Sequence, residues 1–246
     1  MSQESNFSRY SNVFQTRDGS FTVVHPDCGE MFHSDAGALL EARSLYIDSS
    51  GIRDSFSDPT SKCISVADVG LGLGYNAICT VDAWLSSMGS TSLNICSLEI
   101  DAQLVSTFLS AEAPWMINWD SSWTRIIRGF YKVEDNRYEL NYKIPSTTRE
   151  LNWKILLGDA LSLDLSMESL GYQFDYIWQD PFSPSKNPGM WSAEWFEKIK
   201  KSSSLKVKLM SYSVSGVVKN NLKEAGWQYK KIPTTSQKRN WLLAWL

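Results

Sequence analysis

The sequence predicts an α/β fold with a mostly parallel sheet covered by helices on both faces. Three observations carry that expectation. From residue 63 onward apolar strands alternate with helical periodicity, a glycine-rich turn sits directly between the first of those strands and its helix, and 43% hydrophobic residues, with eleven Trp, can bury a sizeable core. Strand, helix and strand in succession require a crossover, which makes neighbouring strands parallel and shields both faces of the sheet.

Before residue 60 the chain reads as an N-terminal extension (1–60) packed on the main domain (61–246). It holds a short strand, FTVV, and a helix opened by Ser34 in SDAGALLEARSLYI, where Ala38, Leu39, Ala42, Leu45 and Tyr46 share one face. CISVADV then reads as a buried strand, YNAICTVDAWLSSM as a helix ending near Gly89, LNICSLE as a strand and DAQLVSTFLSA as a helix. RYELNYKI and WKILL pair as a hairpin across the turn-rich PSTTREL. FDYIWQ, SAEWFEKIKK, KVKLMSYS and GVVKNNLKEAG resume the alternation, the last helix closed by Gly226 and the Ser202–Ser204 run taken as a loop. WQYKKI and NWLLAWL follow with no room for a helix between them, so they are expected to be antiparallel neighbours.

Charge is unevenly placed. The net charge is −3, yet residues 186–246 carry twelve Lys or Arg against three Asp or Glu, while residues 1–185 carry twelve against twenty-four. Such an asymmetry points to a polyanionic partner. No apolar run is long enough to span a bilayer and the first thirty residues lack signal-peptide character, so a cytoplasmic protein is expected. Cys28, Cys63, Cys79 and Cys96 form no CxxC pair and the two histidines, His25 and His33, lack ligand spacing, so reduced thiols, three of them in apolar segments, and no metal are expected.

DVGLGLGYN, Asp68 to Asn76, places Gly70, Gly72 and Gly74 between a strand and a helix, where backbone can approach a ligand closely. Tyr75 stands where a dinucleotide fingerprint needs its third small residue, and no Lys-Ser or Lys-Thr follows, so pyrophosphate binding is disfavoured. The loop instead resembles the first motif of class I S-adenosylmethionine (AdoMet) methyltransferases. Glu99 ends the second strand, where a carboxylate accepts ribose hydroxyls, and Asp159 in LLGDA suits an adenine amino group. YIWQDPFSPSKNPGMWS runs an apolar strand into Asp180 and a proline-stiffened loop. Its DPF is similar to the (Asp/Asn)-Pro-Pro-(Tyr/Phe) element of methyltransferases that act on amino nitrogens.

Together GLGLGYN, SLEID, LLGDA, QDPFSPSKNPGMWS, YSVSGVVKNNLKEAGW and QKRNWLL resemble, in order and spacing over roughly residues 30–246, the methyltransferase half of the MnmC family of tRNA wobble-uridine modification enzymes. The D-x-F-x-P-x-K-N-P-x-M-W run (Asp180, Phe182, Pro184, Lys186, Asn187, Pro188, Met190, Trp191) is the most discriminating part, and HSDAGALLEA (His33–Ala42) looks like the family's N-terminal motif.

The resemblance implies a class I, Rossmann-like fold: a mostly parallel seven-stranded sheet with its last strand antiparallel. It also implies AdoMet-dependent methylation of the exocyclic amine of 5-aminomethyl-(2-thio)uridine in tRNA. Carried over by motif, Asp68, Gly70, Gly72, Gly74, Asn76, Glu99 and Asp159 would hold the cofactor and Asp180 the reacting amine. Phe182, Lys186 and Trp191 would meet the substrate, with Lys230, Lys231, Lys238 and Arg239 on the tRNA backbone. Pro181 replaces the small residue expected there, and Lys219 stands where the family is often richer in Arg. The family's FAD-dependent oxidase half has no counterpart in this sequence, so a separate enzyme is expected to supply the aminomethyl substrate. Other readings are a small-molecule amine methyltransferase and an AdoMet-binding RNA-interaction protein without turnover.

Overall fold

A computed structural model describes residues 8–234 and 240–246. Within them lie eleven strands and eight α-helices. In chain order these are β1 (Val13–Gln15), β2 (Phe21–Val23), α1 (Ala38–Glu41), α2 (Ile52–Ser57), β3 (Cys63–Val69), α3 (Tyr75–Leu85), β4 (Ser92–Glu99), α4 (Ala102–Leu109), α5 (Ser121–Ile127), β5 (Tyr131–Glu134), β6 (Arg137–Lys143), β7 (Glu150–Leu157), α6 (Met167–Leu170), β8 (Phe174–Gln179), α7 (Ala193–Lys201), β9 (Ser203–Ser211), α8 (Gly216–Glu224), β10 (Gln228–Pro233) and β11 (Asn240–Trp245).

Nine strands form one sheet in the order β10-β11-β9-β8-β3-β4-β7-β6-β5. Its centre, β9-β8-β3-β4-β7, is parallel, as the alternating pattern requires. β11 runs antiparallel to β9 and to β10, as the short connection between the last two strands demands. The seven strands expected are therefore present, and the β5–β6 hairpin extends the sheet beyond β7 by two antiparallel strands. β5 escaped the sequence reading because YKVE is exposed along its whole length and carries no buried face.

Local chemistry explains the boundaries that differ. Ser34 does not open the first helix: its hydroxyl donates to Glu41, and the helix begins at Ala38 after Gly37. The helical segment then widens into a π-helical turn, Ala42–Asp48, which still buries Ala42, Leu45 and Tyr46 on one face. α3 stops at Leu85, short of Gly89, and Ser203 and Ser204 open β9 rather than forming a loop. Cys79 and Cys96 are buried thiols, whereas Cys63, at the first position of its strand, is exposed. Asp101 caps α4 by accepting from the backbone N–H groups of Gln103 and Leu104, an arrangement that stabilises a helix by about 1 kcal/mol.

The N-terminal segment shares a core with the sheet. Tyr10, Val23, Leu45, Tyr46 and Phe56 pack into the same buried cluster as β3, α3 and β4. The Tyr10 hydroxyl donates to Asp101 at the head of α4, which draws the segment across the ends of the strands. Among the described residues no helix is long and apolar enough to cross a membrane.

Candidate active site

The strand order reverses between β3 and β8, and there the carboxyl ends of β3, β4, β7 and β8 open into a cleft of about 520 Å³. Each strand delivers one part of it: Gly70 and Gly72 follow β3, Glu99 ends β4, Gly158 and Asp159 follow β7, and Asp180 follows β8. Backbone bonds fix these ends against one another. Gly70 N–H and Leu71 N–H donate to the Leu98 carbonyl, Gly158 N–H to Glu99 O, and Asp180 N–H to Val69 O. The roof joins the N-terminal segment to the loop after β8, with His25 and Phe32 packed against Phe182 at centroid separations of 5.0–5.6 Å.

Gly70 has φ 87°, and an added Cβ would lie 3.1 Å from the Asp180 carbonyl oxygen, so only glycine lets the two loops approach this closely. Gly72 shows its backbone to the cleft beneath the Phe32 ring. Gly74 does a different job: it does not line the cleft, and with φ 87° it starts α3 against the Phe108 ring.

Glu99 is engaged more heavily than a ribose-binding carboxylate needs to be. Its Oε2 accepts from Gly72 N–H at 3.0 Å, and Oε1 accepts from Ile100 and Asp101 N–H at 2.9 and 3.1 Å. A carboxylate has about four acceptor positions, so the Oε2 atom keeps one for a ligand hydroxyl while its bond from Gly72 sets the glycine loop and Oε1 is held by the turn after β4. Burial raises the Glu99 pKa despite these bonds. Asp159 lies exposed at the rim, with its carboxylate turned back to Leu161 N–H and Ser162.

Asp180 is the centre of the far wall. Its Oδ2 accepts from Asn76 Nδ2 at 2.6 Å, which accounts for Asn76: it stands behind the cleft wall and holds Asp180 rather than lining the cavity. Burial, followed by the charge of Glu41, pushes the Asp180 carboxyl up to about 8. The Tyr46 hydroxyl acts in the opposite sense. It is buried, stands near Asp180 and makes no hydrogen bond of ordinary geometry. Asp68 is also behind the wall; it is fully buried, accepts from Ser97 Oγ at 2.7 Å, and desolvation pushes it up to about 7.

The loop after Asp180 is braced at several points. Tyr212 Oη donates to Pro181 O, Trp191 Nε1 to Phe182 O, and Ser183 Oγ to Glu30 Oε1 at 2.6 Å. Trp191 is 1% exposed, so its indole is a brace for this loop and not an open face on which a base can stack. Phe182 and Lys186 do reach the cleft. His33 lines it too, but burial lowers its pKa to about 4, so it is a neutral ring.

Topology divides the basic set. Lys200, Lys201 and Lys206 belong to the end of α7 and the start of β9, at the far end of the sheet from the cleft, and Lys198, Lys200 and Lys208 each donate to a backbone carbonyl. Lys230 and Lys231 are exposed on β10, in register through Leu243 and Leu242 with Met210 and Ser211 at the cleft-side end of β9. Lys238 and Arg239 lie outside the described residues.

Sequence reasoning gave no role to Glu30, Glu41, Tyr46 or Tyr212, all of which act on the Asp180 wall. Glu41 and Tyr46 sit in or just after the HSDAGALLEA run, which was the available signal, but nothing in its spacing says that it folds over a loop some 140 positions later.

The residues present fit AdoMet. Among the described residues lining the cleft, Glu30, Glu41, Glu99, Asp159 and Asp180 face a single ammonium, Lys186, a balance that suits a cationic sulfonium ligand and opposes a pyrophosphate. The glycine backbone and the remaining Glu99 acceptor supply the close approach and the hydroxyl partner.

Comparison with known proteins agrees. Residues 123–246 match a family model described as S-adenosyl-L-methionine-dependent methyltransferase. The chain is 27% identical over 240 residues to the tRNA 5-methylaminomethyl-2-thiouridine biosynthesis bifunctional protein MnmC of Burkholderia mallei (strain NCTC 10229) and of Burkholderia pseudomallei (strain K96243). Each alignment covers 90% of this chain and 34% of the relative, so the chain spans about a third of the length of these curated relatives. The crystal structure of MNMC2 from Aquifex aeolicus superposes with a TM-score of 0.76 at 27% identity, covering 96% of this chain and 70% of that one.

Proposed function

The chain belongs to the S-adenosyl-L-methionine-dependent methyltransferase family, and from that premise we propose that it methylates the exocyclic amine of 5-aminomethyl-(2-thio)uridine at the wobble position of tRNA. One observation carries the choice of an amine: Asp180, just past the carboxyl end of β8, lines the cleft and is fixed there by Asn76, where burial pushes its carboxyl up to about 8. The relatives named for 5-methylaminomethyl-2-thiouridine biosynthesis support the nucleoside.

Gly70, Gly72, Glu99 and Asp159 would hold AdoMet, which when bound supplies an electrophilic methyl on a sulfonium. The chain's own work is orientation and proton handling. Glu99 fixes the glycine loop through Gly72, so the floor of the cleft is set before a ligand arrives. Asp180, held by Asn76, accepts an N–H of the amine and takes its proton, leaving a nitrogen lone pair. Phe32, Phe182 and His25 cover the cleft and keep water from competing. Lys186 offers a phosphate contact at the cleft itself and Lys230 and Lys231 outside it, joined by Lys238 and Arg239 as further basic side chains of the sequence. A separate enzyme supplies the aminomethyl group, and the reaction takes place in the cytoplasm with its tRNA.

The direct test is methyl transfer from AdoMet to an anticodon stem-loop carrying 5-aminomethyluridine, read by nucleoside mass spectrometry. Appearance of the methylaminomethyl nucleoside is expected. Methylation of free amines but of no RNA would assign the chain to small-molecule chemistry instead.

A further inference from the structure

Asp180 is not the only carboxylate on the reacting side of the cleft. Glu41, from the end of α1, lines the same cavity, and its charge adds to burial in raising the Asp180 carboxyl. Two carboxylates lining one cavity repel, and a cation placed between them relieves that repulsion. Behind the wall, Asn76 gives one N–H to Asp180 and the fully buried Tyr46 hydroxyl acts on it too, so the Asp180 carboxyl is fixed in place while it lines the cavity beside Glu41. The other groups acting here are Asp68 behind the wall, Tyr212 after β9 and Glu30 from the N-terminal segment, none of which supplies a positive charge; Lys186 is the one ammonium among the described residues lining the same cleft.

We infer that Glu41 and Asp180 together form the seat for the amino group that is methylated, with Asp180 as its proton acceptor and Glu41 as the opposing carboxylate that selects an alkylammonium over a neutral group such as a hydroxyl. The inference deepens the amine reading above and rests on it. When an alkylammonium enters, its charge lowers the proton affinity of Asp180, whose proton leaves to water. One N–H bond of the ammonium then breaks, its electron pair stays on nitrogen, and the proton forms an O–H bond on Asp180. Glu41 accepts a second N–H and so limits the directions in which the lone pair can point. Glu41 is thus a specificity residue, and its effect on the chemical step is exerted by orientation.

The test begins with cofactor-free full-length protein carrying ¹³C-labelled aspartate carboxyls, titrated with and without ethylammonium chloride against potassium chloride at equal ionic strength. In the unmodified chain ethylammonium is expected to move the Asp180 midpoint down by about one pH unit and potassium to leave it in place. In Glu41→Gln the midpoint already lies lower by about the same amount, and the ethylammonium response falls at least several-fold. Glu41→Asp is expected to restore part of the response, which a merely structural role for Glu41 would not do.

With the aminomethyluridine stem-loop, Glu41→Gln is expected to raise KM for the RNA about tenfold, the equivalent of one charge-assisted hydrogen bond, with the AdoMet dissociation constant unchanged by calorimetry. An Asp180 midpoint in the unmodified chain that ignores ethylammonium, or a Glu41→Gln protein with an unaltered midpoint and unaltered KM, overturns the inference. Failure of the unmodified protein to methylate the stem-loop overturns the nucleoside reading alone, because the carboxyl titration uses neither RNA nor cofactor.

Discussion

The cleft and the β10–β11 edge use charge in opposite ways. In the cleft and its wall, Glu99 and Asp180, with Asp68 behind them, are desolvated and each is held by one to three specific donors, so their protonation is set by burial. On the edge, Lys230 and Lys231 stand exposed on a strand whose partners across the ladder are Leu243 and Leu242. Buried charge provides chemistry and is expensive to misplace, whereas exposed charge provides long-range attraction and tolerates displacement. The two regions should therefore fail separately.

The largest separation is expected at Asp180. Asp180→Ala should lower methyl transfer by about 10²–10⁴-fold, the usual contribution of a positioned proton acceptor, while AdoMet affinity measured by calorimetry changes only a few-fold. Equal losses in both would merge catalysis with cofactor binding and break the distinction drawn at that wall.

Gly74→Ala comes next, as a structural control within the same loop. A methyl group there meets the Phe108 ring at a positive φ, so destabilisation by about 2–4 kcal/mol is expected. A melting point within a degree of the unmodified protein would show that α3 can shift to make room.

At the edge, Lys230→Glu with Lys231→Glu should weaken tRNA binding by roughly tenfold and lower the slope of log affinity against log salt by about 2, with AdoMet affinity intact. Unchanged RNA affinity would move the nucleic-acid surface elsewhere.

The smallest effect is on stability against pH. Asp68 and Asp180 bind protons more tightly in the folded chain, near 7 and 8, than at the ordinary aspartate value of 3.8. Between about pH 4 and 8 the folded state holds more protons than the unfolded one, so stability falls as pH rises through that window. Buried His33, lowered to about 4, and His25, lowered in the same direction, oppose the two aspartates below about pH 6.5 and reduce the fall without reversing it, while Asp18 and Asp101 are lowered too and act only at lower pH. The cofactor-free protein should melt higher at pH 5.5 than at 8.5, and Asp68→Asn should remove about 1 kcal/mol or more of that difference. A melting point that climbs across the window would contradict burial as the cause of both shifts.

Much of this architecture could be read from residues alone, because its signals are local. β3, α3, β4 and α4 follow from hydrophobic period and from punctuation by Gly74 and Asp101, and the antiparallel end follows from the short chain between β10 and β11. Asp180, Glu99 and Gly72 were legible for the same reason: residues at the carboxyl ends of adjacent parallel strands must converge once the strand order is known. Exposure and long-range packing were not legible. The β5 strand has no buried face to give it a period, and the Ser203–Ser204 pair is polar sequence drawn into a strand by β8 beside it.

The same division holds for the site. The sequence by itself determined the fold class, the glycine loop, the three strand-end carboxylates and the surplus of positive charge after residue 186. Only the tertiary structure decided that Asn76 serves Asp180, that Trp191 is a brace, that Lys198, Lys200 and Lys208 serve backbone carbonyls, and that Glu41 lines the same cleft as Asp180. The physical reason is desolvation. Whether a carboxyl holds a proton at neutral pH depends on how much water and which charges surround it, and those neighbours come from segments more than a hundred residues apart.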